Sequence, residues 1–262
     1  MNRLLSVPLL LLLLCLPAQG QEADQQPAPP AQEKLSPVAV AERADALHRR
    51  RDEPALEKEQ EALLLAAVKE APEDYGLLWR MARLRHWQAD GSTGEAQGRL
   101  GREAWEWGDK AIRVKPGGVE GQYFAGIGVG AYSTGIGVLR ALGEGVEGKY
   151  NKRVDTALQL DAMFDRGGPL LAKGRYHYEL PWPLRNYEKS TALLRKVLEK
   201  HPGRIRAGVY LAETLLADGK AVEAKQVLDA TLAQPPVGDP PEDRRALGWG
   251  RALEPKIRAA LK

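Results

Sequence analysis

The sequence predicts an all-α protein made of stacked antiparallel helix pairs, and three observations predict it. Pro202 and Pro236 lie 34 residues apart, and each ends an amphipathic stretch, with a third helix-like stretch between them. Apolar residues recur at three- and four-residue spacing along most of the chain, as at Leu63, Leu64, Ala67 and Val68. Alternation of period two, the mark of a half-buried strand, is scarce.

A helix pair that repeats at this interval is tetratricopeptide-like. One such pair cannot bury its own apolar face, so pairs stack, here into an expected right-handed array. In the last pair Leu211 and Ala212 face Ala224 and Leu228 across the tight turn Gly219-Lys220. The small alanines let the two backbones approach while the leucines fill the groove around them. Stacked pairs leave a concave surface suited to binding, which puts binding ahead of catalysis.

Residues 1–20 read as a signal peptide: Arg3, a leucine-rich run to Leu16, then Ala18-Gln19-Gly20 as a cleavage site. The run is too short for a membrane span. The expected location is therefore the periplasm, or outside the cell. Cys15 lies inside the apolar run behind the large Leu13 and Leu14, which argues against a lipid anchor there. Cleavage after Gly20 removes the chain's one cysteine, and with it any disulfide or thiol chemistry. Residues 21–35, rich in Gln, Pro, Glu and Ala, read as a disordered linker, and 36–262 as the helical-repeat domain.

Within that domain helices are expected over 37–48, 56–71, 77–87 and 100–114. Helices over 120–142 and 148–164 follow, the second burying Val154, Leu158 and Leu160. A short helix over 170–180 stops at Pro181-Trp182-Pro183. The patterns over 187–200, 205–217 and 221–232 are the clearest. A Pro/Gly/Asp linker then leads to a C-terminal capping helix over 244–261, which covers the open end of the array. Irregular loops at 88–99 and 143–149 keep the superhelix from being uniform.

The block from Asp161 to Pro183 carries Gly168-Pro169, Gly174-Arg175, Tyr178 and Leu180-Pro181. Asn186-Tyr187-Glu188 and Tyr210-Leu211-Ala212-Glu213 extend it. This pattern resembles the periplasmic T component of tripartite ATP-independent periplasmic (TRAP) transporter systems, over about residues 75–235 and most closely over 161–216. The resemblance implies a tetratricopeptide-like periplasmic protein that pairs with a solute-binding protein and handles an apolar ligand through a central pore. In some members it also implies trimers, hence a homo-oligomer, and a lipid anchor, from which Cys15 departs.

Several residues are candidates for a ligand or partner surface. Tyr123, Gly128 and Tyr132 lie in a helical stretch whose glycines stand at 126, 128 and 130. That spacing is not a dinucleotide fingerprint, and no phosphate-binding Gly-Lys-Ser/Thr follows. Glycine weakens a helix by about 1 kcal/mol, so the run needs a reason: close helix packing or a narrow ligand channel. Tyr176, Tyr178 and Trp182 form the densest aromatic group, either core or the lip of a binding surface. Arg140 and Arg175 need anionic partners, from Glu144 for the first or from a bound carboxylate.

Catalysis has no support in the sequence. The four histidines are dispersed, so neither a metal nor another cofactor is implied. The formal charge of +3 is well mixed, giving no pull toward nucleic acid. Two non-enzymatic readings remain. One is an envelope accessory that handles an apolar small molecule or lipid with a solute-binding or transport partner. It expects an apolar channel lined from residues 123–139 and by Tyr176 or Tyr178. The other is a scaffold for envelope proteins, which expects a wide polar groove with a few exposed aromatics and no closed cavity.

Overall fold

Twelve helices, and no strand, are found among the described residues, 35–262, of the computed structural model. The expected signal peptide, Cys15 and nearly all of the expected linker lie outside the described residues. The helices are α1 (Pro37–His48), α2 (Pro54–Glu70), α3 (Tyr75–Asp90), α4 (Gly94–Val114), α5 (Val119–Ile136) and α6 (Val138–Gly143). They continue with α7 (Val146–Asp161), α8 (Phe164–Glu179), α9 (Tyr187–Lys200), α10 (Ile205–Ala217), α11 (Ala221–Leu232) and α12 (Pro240–Ala260). None of the described helices is long and apolar enough to cross a membrane.

Local chemistry sets many of the boundaries. Ser36, Asp74, Asn186 and Asp239 each cap a helix by accepting a backbone N–H three residues on. Proline opens α1, α2 and α12, where a missing N–H leaves no bond unmade. The expected bounds of α1, α9, α10 and α11 are those observed.

Four apolar clusters hold the stack, one of them, Ile205, Val209, Ala246 and Leu247, joining α10 to α12. Val40, Ala44, Leu64, Leu77 and Met81 join α1, α2 and α3. Tyr123, Phe124, Val154 and Ala172 join α5, α7 and α8. Leu194, Leu211, Leu215, Leu228 and Ile257 join the helices from α8 to α12. Leu211, Ala212, Ala224 and Leu228 pack together as the sequence implied.

The structure departs from expectation at several places, the loops expected over 88–99 and 143–149 among them, which shrink to residues 91–93 and 144–145 because α3, α4 and α7 run longer. The single helix expected over 120–142 is broken at Gly137, whose φ of +93° suits glycine alone, and α6 turns off with Leu139 exposed. Leu160 is 43% exposed rather than buried, because α7 turns Val154 and Ala157 inward instead. The helix expected from Leu170 is preceded by a kink of left-handed turns at Asp165, Arg166 and Gly167, and runs continuously only from Gly168. The last helix begins at Pro240 and does more than cover an end. It packs on α10 and α11, and its start also bonds the turn after α1 and the end of α3. Arg51 reaches Asp239 at 2.7 Å, Arg244 reaches Asp52 at 2.5 Å, and Arg245 donates to the Trp87 carbonyl at 2.9 Å.

Candidate functional site

The inner helices surround a cavity of about 540 Å³. Its wall draws on most helices, but on none of α2, α9 and α11, which stand behind as outer partners. The wall is of mixed character. Phe124, Ile127, Leu171, Val209 and Leu253 form its apolar part. Charged groups gather at two poles.

One pole lies where α3, α10 and α12 meet. Arg206, almost fully buried, donates to both carboxylate oxygens of Asp90, at 3.0 and 2.7 Å, and its Nε lies 2.9 Å from Glu242. Arg245 also bonds Asp90 and lies 3.1 Å over the Trp87 ring. Arg204, still more buried, bonds Glu242 at 3.1 Å, and Arg166 bonds it at 2.7 Å. Burial alone would raise the Asp90 carboxyl, but Arg206 and Arg245 overcome this and hold it well below the ordinary range. His86 lies in the same wall, and burial pushes its imidazole down to about 4. His48, hydrogen-bonded with Gln60, is likewise pushed down by burial. Burial raises the Asp165 carboxyl despite Arg204 nearby.

The other pole centres on Arg175. Its guanidinium is 4.5 Å from the rings of both Tyr178 and Tyr210, and it pairs with Glu179 at 2.5 Å and with Glu213. Burial opposes the charge of Arg175, yet Tyr210, Glu179 and Glu213 together raise its affinity for a proton. Beside it, Tyr176 stacks on Tyr150 and donates its hydroxyl to Glu147. Burial raises the Tyr176 hydroxyl to about 12, and the Glu147 carboxylate adds to the effect. Among the described residues no group of His, Cys, Asp and Glu is placed to hold a metal ion.

Of the residues singled out in the sequence, Tyr123, Arg175 and Tyr176 line the cavity. Gly128 does not: it is buried against α4, where a Cβ would stand 2.5 Å from the Trp105 nitrogen. Close packing, not a channel, accounts for that glycine. Tyr132 is buried between Arg102 and Glu144, away from the cavity wall. Arg140 is 70% exposed and pairs with Glu144 one turn on, so no bound anion is needed. Tyr178 is packed between Arg175 and Tyr187, outside the wall, and Trp182 stands 87% exposed.

The pole around Arg206 escaped the sequence reading, although a signal was present. Arg204 and Arg206 stand at the start of an apolar helix, where the helix dipole disfavours cations. Arginines there call for carboxylates from elsewhere in the chain.

Residues 184–241 match the tetratricopeptide repeat family. No curated protein matches the chain. Among solved structures, TTC0263, a thermophilic TPR protein of Thermus thermophilus, aligns with a TM-score of 0.60 at 20% identity, over 84% of this chain and 98% of that one. Yeast Tom70 aligns at a TM-score of only 0.32 and 12% identity, over 86% of this chain and 66% of that one. The fold is thus a tetratricopeptide-like stack of helix pairs, with a repeat of that family over its clearest pair. These matches support the tetratricopeptide-like fold and do not extend to a TRAP T-component identity.

Proposed function

We propose that this chain is a non-enzymatic binding protein of the cell envelope that holds a segment of a partner protein on its inner surface. The observation that carries this reading is the mixed wall of the cavity, where arginine–carboxylate pairs and aromatic rings alternate with apolar patches. A lipid or other wholly apolar ligand would strip water from these charges and return no hydrogen bonds. A polypeptide segment offers polar backbone, charged ends and apolar side chains together, and the tetratricopeptide match over 184–241 supports the same reading. The reading of residues 1–20 as a signal peptide supports an exported location. The resemblance of residues 161–216 to the TRAP T component makes a periplasmic solute-binding protein one partner to test. The apolar part of the wall favours a second reading, the handling of an apolar small molecule.

Native mass spectrometry of the full chain, purified gently from its own host, separates the two. A stoichiometric polypeptide, lost from an Ala252→Trp variant, is the expected result. Ala252 borders the cavity yet is exposed, so an indole there obstructs the space without entering the core. A retained apolar small molecule without any polypeptide would turn the reading to ligand handling.

A further inference from the structure

Trp182 is 87% exposed, more than any other large apolar side chain among the described residues, and Leu184 beside it is 53% exposed. The loop that carries them is fixed from within. Pro181 and Pro183 restrict the backbone on both sides of the indole. The Pro181 carbonyl accepts the N–H groups of Leu184 and Arg185, at 2.9 and 3.1 Å, and the His177 carbonyl accepts that of Asn186 at 2.9 Å. Arg185 turns back to donate its Nε to the Leu180 carbonyl at 2.7 Å. The backbone is thus satisfied inward, while the indole and the leucine stand in water and forgo the free energy of burial.

Their surroundings are basic. Residues 180–200 carry five Lys and Arg side chains, all exposed, against Glu188 and Glu199. That is a net +3, as much as the formal charge of the entire chain, gathered on one loop and one helix. Lys189, Lys196 and Lys200, spaced by seven and four residues, share one face of α9. Glu223 meets Arg195 and Glu199 meets Lys200, but Lys189 and Lys196 meet no carboxylate among the described residues. Burial, then Lys173 and Lys189, push the His177 imidazole down, so Lys189 stands at the end of α8 where the loop begins.

This pattern separates two kinds of partner. A protein contact seats its aromatic anchor inside a ring of other contacts, and its core is poor in lysine. A rigid indole and a leucine standing alone, rimmed by lysines, match instead the lipid–water interface. There Trp lies at the level of the headgroups, and lysines are drawn to anionic lipid. We propose that the loop between α8 and α9, with the lysine face of α9, docks on an anionic bilayer surface. Trp182 and Leu184 enter the headgroup region, and Lys189 and Lys196 meet lipid phosphates. None of these four residues lines the cavity, so the docking surface is independent of what the cavity holds.

The test uses residues 21–262, so that the leucine-rich run before them cannot itself bind lipid. Sedimentation with phosphatidylcholine vesicles containing a third phosphatidylglycerol is compared with sedimentation on phosphatidylcholine alone. Binding to the mixed vesicles is expected to be about tenfold or more tighter and to weaken at high salt. Trp182→Ala should lower it by about tenfold. Lys189→Glu combined with Lys196→Glu should remove the preference for the anionic vesicles. All three positions are exposed, so the variants should fold, which circular dichroism melts check. Ala252→Trp, in the cavity, should bind vesicles as the parent does. Absence of vesicle binding, or binding that the loop and lysine variants share with the parent, overturns the membrane surface. If Trp182→Ala loses the polypeptide in native mass spectrometry while no form binds vesicles, the loop is a protein contact and the membrane surface falls. If vesicles bind as expected but no polypeptide is retained, the membrane surface stands and the protein-binding reading falls.

Discussion

His86 sits in the cavity wall among Asp90, Arg206, Arg245 and Glu242, and burial holds its imidazole neutral down to about pH 4. In the unfolded chain the same imidazole takes a proton near its ordinary pKa of about 6.5. Between these values the unfolded state binds more protons, so stability must fall as the pH falls through this window. The effect is about 2 kcal/mol between pH 6.5 and 5 for His86 alone. His48, pushed down by burial beside Arg83 and Arg51, adds in the same direction. Urea unfolding of the His86→Gln variant should therefore depend less steeply on pH from 6.5 to 4.5 than that of the parent. An unchanged slope would mean that the imidazole is protonated in the folded protein.

Asp90 has the opposite role. It is the shared acceptor of Arg206 and Arg245, and Asp90→Asn leaves two enclosed guanidiniums short of a counter-charge. Removing one partner from such a group costs about 3–5 kcal/mol, which the urea midpoint at neutral pH will report. Trp182→Ala touches little, since the ring is nearly all in solvent. It should leave stability within about 0.5 kcal/mol, so any loss of partner binding on that substitution would mark Trp182 as a contact and not a support.

The contact between α4 and α5 explains the glycines that the sequence left open between packing and a channel. A Cβ on Gly101 would lie 2.3 Å from the Tyr132 nitrogen, on Gly128 2.5 Å from the Trp105 nitrogen, and on Gly135 2.2 Å from the Gly98 nitrogen. The obstructing atoms are backbone, which cannot swing aside. Gly128→Ala should destabilise by about 1–3 kcal/mol or more, as overpacked interfaces do. Gly148, inside α7 with open space around it, is the contrast. Gly148→Ala should stabilise by about 0.5–1 kcal/mol, because only the backbone entropy of glycine is removed. Thermal melts of the pair test whether helix contact, and not composition, retains the first glycine.

Legibility follows the range of the forces involved. Helices α9, α10 and α11 could be bounded from the sequence because capping, proline stops and apolar period act within a few residues. The break at Gly137 could not, since several neighbouring glycines were equally able to adopt a positive φ. The left-handed turn at Asp165 and Arg166 was hidden for a related reason: Arg166 is held there in part by Glu242, 76 residues away. Of the cavity, the aromatic helix residues Tyr123 and Tyr176 were visible as candidates, together with Arg175. The pole around Asp90 was not, because its partners are 116 and 155 residues distant in the chain.

These long-range pairs change how residues 35–262 should respond to damage. In an open stack each repeat leans only on its neighbours, so loss of the last helix weakens the last pair and little else. Here α12 and the residue before it also bond the turn after α1 and the end of α3, through Asp239, Arg244 and Arg245. Deleting residues 240–262 removes Arg245 from Asp90, and Glu242 from Arg204 and Arg206. The buried arginines of α10 then lose a counter-charge, and Trp87 loses the guanidinium stacked on its face. The truncated chain should show faster amide hydrogen exchange not only in α10 and α11 but also in α3, far away in sequence. A chain that loosens only in its last pair would behave as an open stack. Loosening at both ends would show that the first and last helices stabilise one another, and that the cavity between them depends on that closure.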